Sequence, residues 1–193
     1  MTELVRAHLL SSVRREMYRI FGLGDDGLPT PEGVPIHLFF EGDPGAPDAA
    51  SWGQPDAPEF SMIALGGDDH EEQQGDGFVG TALIDWNNQG HEDDTVYGLG
   101  IFVTSIVRMV LAQPLAIILL GDFIPGLGAP MGTLPGDDLI LAPDFDPDTT
   151  ADPDVAYRGE LYHFAVEMLA VALGSTLSHE MGHSLGLVPY GLP

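Results

Sequence analysis

The chain has 193 residues, room for one domain with its own hydrophobic core, and its 44% hydrophobic content is ordinary for a globular protein. Its charge is not ordinary: 30 acidic residues face 6 basic ones, all arginine, for a formal net charge of -24. Such a surface repels phosphate backbones and anionic headgroups, which excludes nucleic acid as an expected partner, and the absence of cysteine excludes disulfides and thiolate metal sites.

Residues 2–21, TELVRAHLLSSVRREMYRIF, carry scattered arginines and no apolar core of signal-peptide length, so an amphipathic helix is expected there. The connector at 22–33, GLGDDGLPTPEG, breaks regular structure. Sheet and helices are expected over 34–151, with strands at Val34 to Glu41, at Glu59 to Leu65, at Phe78 to Asp85 and from about Thr95. Between them lie a Pro- and Gly-rich surface loop at 42–58 and an acidic loop at 66–77.

The most apolar window, Leu99 to Leu120, contains Arg108, Gln113 and Pro114, which are costly in hydrocarbon. It reads as a strand bending into helix, with Pro114 starting a new element, and no membrane span is expected from it. Further on, Asp152 and Pro153 make a helix start, Asp as N-cap, Pro at the first helical position and Asp154 facing the positive end of the dipole. A helix over 153–185 follows, with a kink or break expected near Gly174 because of its length.

That helix carries HEMGHSLGL. Residues four apart on a helix lie about 40° from each other around the axis, so His179 and His183 project from one face and can grip one metal ion. Glu180, beside the first imidazole, is placed to take a proton from an activated water rather than to bind the metal. Leu177, Met181 and Leu185 are available to anchor the helix. Among other nitrogen donors, His70 and His91 sit in acidic loops, His37 lies in the first strand, and His163 falls about 160° around the helix from His179. Tyr190 is the nearest oxygen donor.

With Gly186, the segment HEMGHSLG resembles the metzincin pattern HExxHxxGxxH of zinc metallopeptidases, departing from it at Pro189, where the third histidine would stand. GTALIDWNNQGHEDDTVYG looks like the strand and loop before the active helix in bacterial matrixin-type relatives. The resemblance implies an α+β zincin-like fold over a single domain, 1–193: a twisted mixed sheet of four or five strands packed on helices, the active helix beneath it. It also implies a zinc-dependent endopeptidase with a protein or peptide substrate along an edge strand, an extracellular location, and a glycine at 186 that turns the chain out of the helix. The third zinc ligand and the C-terminal subdomain are expected beyond Pro193, the alternatives being a ligand recruited from elsewhere in the chain or a degenerate site.

Asp144, Asp146 and Asp148 alternate as calcium ligands do, but an EF-hand starting at Asp144 would need glycine and glutamate where Thr149 and Val155 stand. Calcium at DFDPD or at Asp68 and Asp69 is therefore a secondary expectation, beside an acidic turn that caps the next helix. Two other functions are carried forward: a non-catalytic metal-binding or scaffolding relative of a metallopeptidase, and an acidic calcium-dependent surface module.

Overall fold

A computed structural model describes residues 3–40, 42–51, 54, 56, 60–66, 79–82 and 99–186. Among them are five α-helices and one three-stranded sheet, an α+β chain that is mostly helical. The helices are α1 (Glu3–Phe21), α2 (Val103–Leu111), α3 (Pro114–Leu120), α4 (Asp137–Ile140) and α5 (Pro153–Ser184), and the strands β1 (Ala64–Leu65), β2 (Gly80–Thr81) and β3 (Gly100–Ile101). Two compact units divide the chain: Met1–Val13 with Val107–Val171, and Arg14–Ile106 with Ala172–Pro193.

In the first unit, α3 begins at Pro114, whose missing N–H costs nothing at the first helical position, and Ala116 and Leu120 form a buried cluster with Ala165 of α5. Val110, Leu111, Phe123 and Ile124 pack around that cluster. Asp137, 1% exposed, is the polar centre of the unit. Its carboxylate accepts from Arg158 Nε at 2.6 Å and from the backbone N–H groups of Gly132, Thr133 and Leu134. Burial pushes this carboxyl up, but the Arg158 hydrogen bond and the Leu134 N–H outweigh it and hold its pKa below the ordinary value. Arg158 also donates to Ala129 O at 2.7 Å and stacks over the Phe123 ring, so one side chain ties the 129–137 turn to α5.

In the second unit, the sheet has the order β1-β3-β2. β1 runs parallel to β3, pairing Ala64 with Gly100 and Leu65 with Ile101, while β2 runs antiparallel, pairing Gly80 with Ile101 and Thr81 with Gly100. Buried apolar side chains of this unit come from α1 (Met17, Phe21), from β3 and the start of α2 (Ile101, Phe102, Ile106) and from α5 (Leu173, Leu177). The end of α1 is closed by Gly22 at φ 64°, with Leu23 N–H donating to Tyr18 O at 2.8 Å.

Several expectations meet the structure directly. The first helix, the strand bending into helix after Gly100 and the helix start at Pro153 are present, and the new element at Pro114, expected as a helical turn or a strand, is a helix. α5 continues through Gly174 without a break. The strand expected over Val34 to Glu41 does not form among its described residues, 34–40. Its amides turn inward to local acceptors instead, Ile36 to Val34 O, Leu38 to Gly27 O and Phe40 to the Asp43 carboxylate, and Pro35 has no amide to offer a ladder. The remaining strands are two residues each where described, and the expected strand ends at Glu59, Phe78, 83–85 and 95–98 lie outside the described residues. Leu99 to Leu120 is divided among β3, α2 and α3, whereas α5 is, among the described residues, the one helix long and apolar enough to cross a membrane; it carries Asp154, Arg158, Glu160, Glu167 and Glu180 along its length.

Candidate metal centre on the last turns of α5

α5 owes its start to Asp152, whose Oδ1 accepts from Asp154 N at 2.9 Å and Val155 N at 3.4 Å, with Pro153 at the first position. Its end lies at Ser184. Leu185 N–H returns to Met181 O and Gly186 N–H to His183 O, and Gly186 takes φ 66°, the left-handed conformation that glycine adopts without a Cβ clash. Leu173 and Leu177 are buried and fix the rotation of the last turns, while Met181 and Leu185 are half-buried.

This rotation leaves His179 exposed, His183 half-buried and Glu180 buried at 7% exposure. The two imidazoles converge as the spacing predicts: their Nε2 atoms stand 3.1 Å apart, with ring centroids at 4.7 Å and planes at 87°. Two metal–nitrogen bonds of about 2.05 Å at the tetrahedral angle place their nitrogens about 3.3 Å apart. The pair is therefore within roughly 0.3 Å of one edge of a zinc tetrahedron. Both rings also lie in the final two turns, where the helix dipole is negative and favours a cation. Without a cation, two imidazoles at this distance are joined only if one donates N–H to an unprotonated nitrogen of the other, which must then be neutral.

Glu180 is covered by the sheet. A Cβ built on Gly80 of β2 would lie 2.9 Å from Glu180 Oε1 and 3.0 Å from both Glu180 Cγ and Thr176 Cγ2, so the bare backbone of this strand rests on the carboxylate side chain. Sequence reading passed over Gly80 and Thr176. The signal was present in GFVGTAL, since a glycine inside a strand pattern marks close approach of backbone to another group.

The other candidates are placed elsewhere or not described. His163 lies in the first unit, its ring edge-on to Phe145 at 5.7 Å and beside Tyr162, and its pKa is lowered by burial and by His8. Gly159 makes room for Phe145 there. His37 is exposed and packs on Phe39. His70, His91, Pro189, Tyr190, Asp68 and Asp69 lie outside the described residues. Among the described residues no group of three His, Asp or Glu side chains is gathered closely enough to hold a metal ion, so two imidazoles are what the described part of the site contributes. In the DFDPD turn, Asp146 accepts from Asp148 N at 3.0 Å and caps the short 3-10 turn Pro147–Thr149 rather than α5, which Asp152 caps.

Comparison of the chain with protein-family models, with curated proteins and with solved structures finds no match.

Proposed function

We propose that the chain is a zincin-like catalytic domain, a zinc-dependent metalloendopeptidase that hydrolyses peptide bonds. The observation that carries this reading is the convergence of His179 and His183 at 3.1 Å beside a glutamate held under a strand. His179 and His183 would hold the ion, with a further ligand from outside the described residues. Zinc bound there supplies a Lewis acid that polarises a carbonyl and lowers the pKa of water.

Glu180 accepts the proton of the attacking water and delivers it to the leaving amine, the general-base and general-acid steps of one carboxylate. Its cover by β2 keeps bulk water from competing for that proton. The mixed sheet with an antiparallel strand at one edge, lying on the helix that bears the histidines, supports the zincin-like reading of the fold. An extended peptide adding to the side of that strand left unpaired among the described residues would lie against Glu180, with backbone hydrogen bonds giving register. An extracellular location goes with the same reading.

Zinc content decides the first half of this proposal. The purified full-length protein is expected to hold about one zinc per molecule, which His179→Ala and His183→Ala should remove. Casein cleavage decides the second half. Glu180→Gln should keep the metal and lose cleavage, and unchanged proteolysis in that variant removes Glu180 from the mechanism.

A second reading, a non-catalytic metal-binding relative, is favoured by the presence of only two gathered imidazoles among the described residues. Tight zinc without cleavage of any peptide would select it. The calcium-dependent surface module is less favoured, because Asp146 and Asp152 already serve as caps. A melting temperature indifferent to calcium and chelator would dismiss it.

A further inference from the structure

We infer that Gly80 is a positioning residue for Glu180, and that its missing side chain, together with the Thr176 methyl, sets where the carboxylate lies beneath the edge of β2. This rests on the peptidase reading for its chemical meaning, though not for its geometry.

Three features make the contact specific. First, the atoms a Gly80 Cβ would meet are Glu180 Oε1, Glu180 Cγ and Thr176 Cγ2, all at 2.9–3.0 Å and all on one face of α5, since residues 176 and 180 are four apart. Secondly, neither the strand nor the threonine can easily yield. β2 is held to β3 through Gly80 opposite Ile101, which is completely buried, and through Phe102 N–H donating to Val79 O at 3.0 Å. The Thr176 hydroxyl donates to Ala172 O at 3.0 Å, which fixes the direction of its methyl. Thirdly, the φ of Gly80 lies outside the left-handed region, so alanine is acceptable to the backbone there and the conflict is one of contact, not of strain.

Of the groups a methyl at residue 80 would meet, the Glu180 side chain has the most rotatable bonds and takes the displacement. A general base must stay within about 2.6–3.2 Å of the proton it takes, and a misplacement of about 1 Å costs on the order of 100-fold in rate. A methyl group at residue 80 therefore acts on catalysis through Glu180, without touching substrate or metal.

The test uses the full-length zinc-loaded protein, with Gly80→Ala alone and combined with Thr176→Ser, which deletes the crowding methyl and keeps the hydroxyl that bonds Ala172. For Gly80→Ala, kcat on a peptide substrate should fall about 10- to 100-fold with KM within about threefold, and zinc content should stay constant. Adding Thr176→Ser should recover at least about tenfold of that loss. Wild-type kcat in Gly80→Ala, or a loss that Thr176→Ser leaves unrelieved, overturns the inference. Crystal structures of the wild type and Gly80→Ala read it independently of activity: the Glu180 carboxylate is expected to shift by about 1 Å, and an unmoved carboxylate overturns the positioning role. Should the wild type cleave nothing, the peptidase reading fails while the crystallographic comparison still decides this one.

Discussion

The two ends of α5 use polar groups in opposite ways. Near its start, Arg158 meets a buried carboxylate of opposite charge, and the backbone around Asp137 supplies three further donors, so the polar groups there answer one another within the chain. Near its end, two groups of the same kind, the His179 and His183 imidazoles, are brought to 3.1 Å. Opposite charges at contact stabilise a fold. Two imidazoles at contact are joined when one donates N–H to the other, and under the proposed reading a cation would take the place of that proton.

The largest expected effect lies at the C-terminal end. Glu180→Gln should lower the rate of peptide cleavage by about 100- to 10,000-fold, the usual worth of a positioned proton carrier, while zinc content and melting temperature stay near wild type. Parallel loss of zinc would show that the residue serves the metal, and would blur the proposed division of labour between the imidazoles and the carboxylate.

At the other end, Arg158→Met should destabilise the protein by about 3–5 kcal/mol in urea titration, because it strands the buried Asp137 carboxylate. Replacing both partners, Asp137→Leu with Arg158→Met, should recover much of that loss by removing the stranded charge. A cost under about 1 kcal/mol for Arg158→Met would put this pair in the class of surface ion pairs and erase the contrast. Since the folded pKa of Asp137 is lowered, the pair's contribution is fully present above the ordinary carboxylate range of about 3.9 and is lost as pH falls through the folded value.

Asp152→Ala should cost about 1 kcal/mol through the lost cap of α5. Amide exchange should quicken in the first turn of the helix, and uniform protection in the variant would deny Asp152 that role. A smaller effect belongs to His163. Burial beside Phe145 and Tyr162, with His8 near it, lowers its pKa, while Glu167 opposes the shift. The fold therefore favours neutral imidazole: its contribution is present above pH about 6.5 and is lost as pH falls through the lowered folded value. Melting temperatures across this range should decline less steeply in His163→Gln than in wild type, and identical slopes would sink the assignment. Tyr162, pushed up to about 12 by burial, stays neutral throughout and keeps its 3.1 Å contact with His8 Nδ1.

What could be read from sequence alone follows the range of the interactions involved. Asp152 with Pro153, Pro114, and Gly22 after Phe21 act on their immediate neighbours, so α5, α3 and the end of α1 were legible. His179 and His183 were legible for the same reason, because one helical turn joins them. Val34 to Phe40 has the composition of a strand, but its amides found acceptors at Gly27 and Asp43, a competition that composition does not register. The Asp137–Arg158 pair spans 21 residues and Gly80 meets a helix 100 residues later, and neither leaves a periodic trace.

The path of three helices has a consequence for inheritance. α1 passes from one compact unit to the other after Val13, α2 after Ile106 and α5 after Val171, so each boundary falls inside a helix and not in a linker. A cut of the chain at any of these boundaries severs hydrogen-bonded helical turns. The imidazole pair and Arg158, which holds Asp137, stand on one unbroken helix, so what is inherited there is one contiguous segment, residues 158–183, and not two separable pieces.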